Sequence, residues 1–264
     1  SRMHEINVIG TMNLFAAASQ PDSRVRNVVV KSSTLVYGST HADPVWFSED
    51  TRRPALPRLR VERSLLEVEG YVRDYAADNP HVAVSLLRFS NVLGSDIVTP
   101  ITKALGLPLV PAVLGYDPRL QFVHEVDVVR AIMFVLERDR GGIFNVAGDG
   151  LLPWSEVAAI CAKRLFPLPP VGRRTVAAAL TRVGVDIPIE LIELLTYGRG
   201  ADNRRLKQAG FSYEHTSAGA VHAFAEAARL RSTVGRRGAY RYERDVEQFF
   251  RHSPAVVRDR GSSG

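Results

Sequence analysis

Cysteine is nearly absent from the sequence, because Cys161 is the one cysteine in 264 residues. A disulfide framework and a cysteine-based metal site are therefore excluded, and the apolar, helical surroundings of Cys161 predict a buried structural thiol. Long apolar runs are also missing. The longest candidate, residues 104–116, is shorter than the ~20 residues that span a bilayer, and glycine and proline interrupt it. These absences predict a soluble, cytoplasmic protein with no transmembrane segment and no metal site.

The excess of positive charge is largely confined to the C-terminal end of the sequence. The sequence has 34 Lys and Arg against 28 Asp and Glu, a formal net charge of +6. Nine arginines and five acids lie in residues 226–264, which therefore carry +4. The rest of the chain is nearly neutral, and this argues against a nucleic-acid-binding body. We predict a basic tail, helical or disordered, over residues 226–264.

The first ninety residues alternate between helical and strand patterns. Apolar residues recur at helical spacing over residues 6–18 and again over Ser64–Ala77. Short β-branched runs of the kind found in buried parallel strands cover residues 25–30 and 82–87. Helix, strand, helix, strand is the order of a doubly wound α/β fold. Residues 1–95 are therefore predicted to form part of a Rossmann-type parallel sheet, with a Pro- and Arg-rich surface loop over residues 43–60.

After Gly94 the pattern changes to short segments separated by proline and glycine. Residues 96–225 are predicted to form a smaller mixed α/β lobe that binds substrate, with Trp154 in its core. The predicted helices of this lobe lie near residues 126–137, 155–165, 174–183 and 188–195.

A pair of hydroxyl residues, Ser32 and Ser33, follows the first predicted strand. Ligands of open α/β sheets bind at the carboxyl ends of the strands, so these hydroxyls are placed to face a crevice. Hydroxyls after a strand also satisfy turn amides, and this alternative stays open for the dipeptide alone. A helical crossover links the two strands and predicts that they are parallel. Ser33 and Asn91, at neighbouring strand ends, are then expected to face the same crevice.

Five segments in order resemble the extended short-chain dehydrogenases, and most closely the NAD-dependent epimerase/dehydratase family that includes UDP-galactose 4-epimerase. The segments are EINVIGTMNLFAAA, VVVKSSTLVYGS, LLRFSNVLG, QFVHEVDVVRAI and GIFNVAGDG. The resemblance covers roughly residues 5–215. It implies an NAD or NADP cofactor, a nucleotide-sugar substrate, and a homodimer formed through the two predicted helices at residues 6–18 and 64–77.

The resemblance also implies roles for individual residues. Ser33 matches the family's catalytic serine, which hydrogen-bonds the substrate hydroxyl or carbonyl, and Asn7 matches a helix asparagine that braces the site. The residues implied to border the cofactor are Ser32, Arg88, Ser90 and Asn91. Those implied to contact substrate are Asn91, Arg119, His124 and Arg199, with the two arginines near the segments that hold the diphosphate.

The family's glycine-rich turn, which cradles the cofactor pyrophosphate at a helix N-terminus, is not found in this sequence. Neither is an acidic residue at the end of a second strand to bind the ribose. At ~30 residues per strand–helix–strand unit, the family pattern would place roughly 80–100 further residues before this stretch. We therefore expect the chain by itself to bind NAD or NADP weakly.

The family's Tyr-x-x-x-Lys pair is also lacking. None of the four lysines has a tyrosine four residues before it. In the family, the tyrosine precedes a helix glutamate by eight residues; that glutamate resembles Glu69, so Val61 and Leu65 occupy the pair's positions. Neither side chain transfers a proton, and general acid–base catalysis is typically worth ~10²–10⁴ in rate. Glu62 and His41 are the alternative acid–base groups nearby.

Two functions follow from the resemblance. The first is an NAD(P)-dependent nucleotide-sugar epimerase/dehydratase-like activity by hydride transfer at a sugar carbon, with Ser33 in the active site. The second is a catalytically degraded relative that binds a nucleotide, a sugar nucleotide or a protein partner without turnover. Val61 and Leu65 favour the second function, whereas Ser33, Asn91 and His124 favour the first.

Overall fold

A computed structural model describes residues 8–41, 43–53, 56–57, 59–138, 141–170 and 188–234 of the chain. Asn7, Arg58 and the helix predicted at residues 174–183 lie outside the described residues. The helices are α1 (Gly10–Ala18), α2 (Arg60–Asp78), α3 (Pro100–Gly106), α4 (Glu125–Glu137), α5 (Trp154–Ile160), α6 (Ile189–Tyr197), α7 (Arg204–Gln208) and α8 (Ser217–Val234). The strands are β1 (Asn27–Ser33), β2 (Trp46–Phe47), β3 (Ala83–Phe89), β4 (Asn91–Leu93), β5 (Leu109–Val113), β6 (Arg119–Leu120), β7 (Phe122–His124), β8 (Gly142–Val146), β9 (Leu152–Pro153), β10 (Arg164–Leu168) and β11 (Gly200–Ala201).

The central sheet is parallel, as the crossover pattern predicts. Its strand order is β1–β3–β8, with Ser33 opposite Phe89 and Phe89 opposite Val146. The carboxyl ends of the three strands therefore lie side by side at one edge of the sheet. In this geometry, polar residues that follow the strands meet in one place.

Helices cover both faces of this sheet. Alternate residues of β3 point in opposite directions, so Leu87 and Phe89 pack with α4 while Val84 and Leu86 pack with α2. All four side chains are buried. Burial of a Leu or Phe side chain stabilises the fold by about 1.5–3 kcal/mol each. The three-layer α/β arrangement predicted from the sequence is confirmed.

The second half of the chain adds a separate apolar cluster around Trp154. This indole is 1% exposed, and its Nε1 donates a hydrogen bond to the carbonyl of Pro111 at 2.8 Å. The prediction that Trp154 lies in the core is confirmed. Four small two-stranded sheets complete this region: β5–β10, β4–β7 and β2–β11 are parallel, and β6–β9 is antiparallel.

The helix predicted over residues 155–165 is wrong in its second half. Helix α5 ends at Ile160, Ala162 adopts a left-handed φ of 53°, and the chain continues as strand β10. Pairing of β10 with β5 supplies backbone hydrogen bonds that override the helical spacing of the apolar residues. Cys161 lies at the end of the helix and is half-buried, so it is not the fully buried thiol that was expected.

The chain divides into two units, Ser1–Ala225 and Glu226–Gly264. The first contains both segments predicted as separate lobes, and the boundary near residue 95 stays a prediction. Of the second, residues 226–234 are described, and they are helical. Within the described part of the chain, no helix is both long and apolar enough to cross a membrane.

Candidate functional site

The ends of β1 and β3 open into one cavity of about 230 Å³, which we call the strand-end cavity. Ser32 and Ser33 from β1 line it, together with Ser90 and Asn91 from the segment after β3. The expectation that Ser33 and Asn91 face the same crevice is confirmed. This follows from the parallel pairing of β1 with β3, which brings the two strand ends together.

The other walls of the strand-end cavity are mainly apolar. Helices α3 and α6 contribute Ile101, Leu191 and Leu194, and Leu35 and Phe89 line the wall near the sheet. Apolar walls exclude water and strengthen any polar interaction made inside. The charged residues among the lining are Lys31, Glu190 and Arg199.

Ser33 and Asn91 have unused hydrogen-bonding capacity toward the cavity. The Ser33 hydroxyl oxygen accepts from the Leu35 amide at 3.2 Å, so its hydrogen is left to donate. The Asn91 side-chain amide donates to the Gln121 carbonyl at 2.8 Å, and its oxygen accepts no hydrogen bond from the described residues. Ser90 Oγ is buried and likewise has no partner among them. The site therefore offers donors and an acceptor to a polyhydroxylated ligand.

Arg88 does not reach this cavity. Its guanidinium forms a two-pronged ion pair with Glu69, with Nε–Oε1 and Nη2–Oε2 distances of 2.9 and 2.6 Å. Glu69 Oε1 also accepts from the Ser32 hydroxyl at 2.7 Å. Burial lowers the pKa of Arg88, but Glu69 and Tyr37 outweigh this effect and the pKa lies above its ordinary value. Arg88 therefore holds Glu69, which in turn positions Ser32, and its implied contact with the cofactor stays a prediction.

Tyr37 belongs to the same buried network. Its hydroxyl donates to Asn145 Oδ1 at 2.7 Å and accepts from Arg88 Nη1 at 2.9 Å. Burial raises the pKa of Tyr37, although Arg88 opposes the shift. The Tyr37 hydroxyl donates to Asn145, and Tyr37 is not among the described residues that line the strand-end cavity, so it is not placed to donate a proton there. The sequence argument missed Asn145 and Glu49, which are buried in this network, although a polar residue inside the apolar run GIFNVAG was a signal for Asn145.

Arg199 is the cation built most deeply into the cavity wall. It is 8% exposed, and its Nε donates to the carbonyl of Gly38 at 2.8 Å. Gly38 has φ 82° and ψ −171°, and Gly198 has φ 68° and ψ −174°, which is backbone that essentially only glycine adopts. Two glycines therefore fix the guanidinium. Gly38 supplies the carbonyl that accepts its hydrogen bond, and Gly198 sets the backbone conformation just before Arg199.

No carboxylate lies within 4.0 Å of the Arg199 guanidinium among the described residues, and its terminal nitrogens donate no hydrogen bond to them. Burial lowers the pKa of Arg199 to about 10. Glu62, Asp43 and Glu193 attract the charge and oppose this shift, whereas Arg53 repels it. Glu62 itself pairs with Arg53 at 2.7 Å.

A second cavity of about 340 Å³, which we call the polar cavity, adjoins Arg199 on its other side. Arg119 and His41 line it, as do Asp43 and Asp117. Arg199 lines both cavities. The two arginines implied to bind substrate are thus brought to one place, with Arg119 exposed and Arg199 buried.

Val61 and Leu65 lie one turn apart on α2 but are not among the described residues that line the strand-end cavity. Leu65 packs against the apolar cluster of Val36, Tyr37 and Phe47. Glu62 is buried and ion-paired with Arg53, so it is not open to a ligand in the described part of the chain. His41 is exposed and lines the polar cavity.

The structure does not place His124 in either cavity. Its Nδ1 accepts from the Val126 amide at 3.3 Å at the start of α4, and its ring stacks on His215 with centroids 4.1 Å apart. Asp127, fully buried beside the pair, accepts from the backbone amides of Glu214 and His215. His124 therefore has a structural position, and its implied contact with substrate stays a prediction. No group of three or more His, Cys, Asp or Glu that would hold a metal ion occurs in the described residues.

The His124–His215 stack predicts acid sensitivity. Burial lowers the pKa of His124 below its ordinary value, and His215 lowers it further, whereas Glu125 and Asp127 oppose the shift. The unfolded state then binds the proton more readily, so the contribution of neutral His124 to stability is complete above about pH 6.5 and is lost as the pH falls below it. We expect the Tm to fall between about pH 7.5 and about pH 5.5, and to fall less in His124→Gln.

Thermal unfolding at the two pH values measures this effect. His222→Gln removes an exposed histidine on α8 and is the matched control, which is expected to retain the wild-type loss of Tm. Equal acid-induced losses in the wild type and in His124→Gln would contradict the assignment.

A parallel sheet covered by helices on both faces, with the strand-end cavity at the carboxyl ends of its strands, defines a Rossmann-type fold. The chain belongs to the NAD dependent epimerase/dehydratase family, whose sequence model matches residues 1–147. It is 36% identical over 209 residues to an uncharacterised protein of Mycobacterium tuberculosis, covering 78% of this chain and 54% of that protein. The chain thus spans about half the length of the curated relatives it matches.

More distant similarities agree with the fold. UDP-glucose 4-epimerase 3 of rice is 35% identical over 92 residues, which are 35% of this chain and 23% of that protein. Solved structures include UDP-glucuronic acid 4-epimerase from Bacillus cereus in complex with NAD, with a TM-score of 0.64 and 14% identity over 88% of this chain and 68% of that one. dTDP-glucose 4,6-dehydratase from Bacillus anthracis in complex with NAD has a TM-score of 0.63 and 18% identity, over 87% and 70% of the two chains.

Proposed function

We propose that the protein acts on a nucleotide sugar as an NAD(P)-dependent epimerase/dehydratase-like protein, by hydride transfer at a sugar carbon. The observation that carries the proposal is the strand-end cavity, where Ser33 offers a hydroxyl donor and Asn91 offers an amide acceptor. A sugar hydroxyl both accepts and donates hydrogen bonds, so it pairs with both groups. Membership of the family supports the reaction class.

The two cavities suit the two parts of such a ligand. The sugar occupies the strand-end cavity, and the diphosphate lies toward the polar cavity, where the exposed guanidinium of Arg119 is available. Arginine suits phosphate because its planar fork donates two parallel hydrogen bonds. The substrate is thereby oriented with its sugar toward Ser33.

The residues present fit only the reactive end of a nicotinamide cofactor. Ser90, with a buried and unpartnered hydroxyl, and Ser32 line the cavity where that end would meet the sugar. The sequence supplies no glycine-rich turn for the pyrophosphate. When bound, the nicotinamide supplies a hydride acceptor and donor. The protein's own residues orient the sugar and exclude water.

Binding without turnover is the second candidate, and a specific observation favours it. No tyrosine or histidine is among the described residues that line the strand-end cavity. Val61 and Leu65 have no ionisable group that could transfer a proton. The ionisable side chains of that lining are Lys31, Glu190 and Arg199, and none of them stands at a position of the family's pair. If none of them transfers the proton, binding is retained while turnover is suppressed. Incubation with NAD and UDP-glucose distinguishes the two candidates, since turnover that passes through a reduced nicotinamide changes the near-ultraviolet absorbance.

Calorimetric titration with UDP-glucose tests the ligand assignment. We expect Asn91→Leu to weaken binding by about tenfold or more, because an unmet hydrogen bond in a buried site costs about 1–3 kcal/mol. Ser33→Ala is expected to weaken binding for the same reason. Ser64→Ala, which removes a hydroxyl from α2 outside the cavity, is the control and is expected to bind as the wild type does. Unchanged affinity in both cavity variants would overturn the site.

A further inference from the structure

The strand-end cavity contains a cation that the proposed function does not yet use. Arg199 is nine-tenths buried, yet its terminal nitrogens donate no hydrogen bond within the described residues. Burying a charge without a partner is costly, and buried charges in proteins are normally paired. The cavity wall at Arg199 is therefore suited to bind a negatively charged group of a ligand.

The position of Arg199 is fixed independently of any ligand. Gly38 accepts its Nε hydrogen bond, and Arg53 stands against the other side of Gly38, where an added Cβ would lie 2.9 Å from the Arg53 Cζ atom. Glu62 pairs with Arg53 at 2.7 Å. Glu62, Asp43 and Glu193 attract the charge of Arg199, but none of them forms an ion pair with it among the described residues.

We propose that Arg199 holds an ionised oxygen of the ligand in the strand-end cavity, so that the cavity selects a phenolate-, enolate- or alkoxide-type oxygen on a compound with an apolar face. The apolar walls from α3 and α6 strengthen this attraction because they lower the local dielectric constant. Ser33 lines the same cavity and donates to the same class of oxygen. Burial is the main cause of the lowered pKa of Arg199, and the attraction of Glu62, Asp43 and Glu193 offsets it only in part.

The inference rests on the proposed function and adds a role to it. The ionised oxygen is then the sugar oxygen that Ser33 contacts, and the diphosphate is left to Arg119 in the polar cavity. Arg199 stabilises the anion but does not transfer a proton, since arginine remains protonated in the physiological range. Its role is to stabilise the negative charge on the oxygen, whereas the family's tyrosine–lysine pair transfers the proton. Among the other charged groups, Lys31 adds to the positive field of the cavity and Glu190 opposes it.

A chromogenic phenol, 4-nitrophenol, tests this without requiring turnover. Its ionised form is yellow, so absorbance reports the ionisation of the bound probe directly. We expect the wild-type protein to bind the phenolate in preference to the phenol and to lower the ionisation midpoint of the bound probe by about one pH unit or more. Arg199→Gln is expected to lose this shift, and Arg199→Lys to retain part of it.

Arg73→Gln is the matched control, because it removes an exposed arginine of α2 and is expected to keep the full shift. Unfolding curves of each variant show whether the fold is retained, and Arg199→Lys keeps the charge if Arg199→Gln does not fold. The same proteins are titrated with UDP. Affinity for UDP that falls with Arg199→Gln as far as it falls with Arg119→Gln would identify Arg199 as a diphosphate ligand and overturn the inference.

A failure of the role given to Arg199 can be told apart from a failure of the proposed function. Equal wild-type affinity for phenol and phenolate, or no binding of either, together with retained binding of UDP-glucose, overturns the role of Arg199 and leaves the proposed function standing. Absence of binding for both nitrophenol and UDP-glucose overturns both.

Discussion

Replacing Glu69 by glutamine is expected to lower the free energy of unfolding by about 3–5 kcal/mol, because it leaves the buried guanidinium of Arg88 without a counter-charge. Glu69 is 0% exposed, and it accepts from both Arg88 and the Ser32 hydroxyl. Glutamine is nearly isosteric, so the effect isolates the charge from the packing. Urea denaturation of the wild type and the variant measures the difference.

Two further variants make this result specific. Asp74→Asn changes an exposed carboxylate on the same helix and is expected to alter stability by no more than about 0.5 kcal/mol. The double variant Glu69→Gln/Arg88→Met removes both charges, and its loss is expected to be smaller than the sum of the single losses. A loss below about 1 kcal/mol in Glu69→Gln would show that water or other groups compensate Arg88.

The ion pair also links the interior of the sheet to the candidate site. Arg88 lies on β3, Glu69 on α2 and Ser32 near the end of β1, and hydrogen bonds join the three side chains. When Glu69 is replaced, Ser32 loses the acceptor of its hydroxyl hydrogen, and the adjacent Ser33 loses part of its support. We therefore expect the affinity for UDP-glucose to fall along with the stability.

The sequence predicted the parts of the site that depend on short-range pattern. Runs of β-branched residues predicted β1 and β3, and the crossover rule then placed Ser33 and Asn91 together. His124 could not be placed in this way, because its environment depends on His215, which lies far away in the chain. The end of α5 was misjudged for a similar reason, since the partner of β10 is β5, more than fifty residues earlier.

Arg199 shows the same limit most clearly. Its sequence neighbourhood, YGRGAD, does not indicate that the side chain is buried. The hydrogen bond that holds its Nε is accepted by the Gly38 carbonyl, 161 residues away. A site that depends on two glycines in rare backbone conformations is recognised only when the chain is folded.

Gly198→Ala is accordingly expected to be the most damaging single change at the site. Gly198 has φ 68° and ψ −174°, which is strained for any residue with a Cβ, and an added Cβ would overlap the backbone carbonyl oxygen of Arg119. Strain and overlap each cost about 1–3 kcal/mol, so we expect a loss of about 2–6 kcal/mol in the free energy of unfolding. Because the displaced backbone carries Arg199, binding of both UDP-glucose and nitrophenolate is expected to be lost as well.

Gly70→Ala is the matched control for the same chemical change. Gly70 lies inside α2 with no atom within 4 Å of the added Cβ, so alanine is expected to stabilise the protein by about 0.5–1 kcal/mol through its higher helix propensity. Gly38→Ala is expected to fall between the two, because its Cβ would meet the movable side chain of Arg53 rather than backbone. Denaturation and calorimetry on the three variants give the order Gly70→Ala, Gly38→Ala, Gly198→Ala from mildest to most severe. If Gly198→Ala were as stable as Gly70→Ala and still bound UDP-glucose, the backbone at Gly198 would not be what holds Arg199 in the cavity wall.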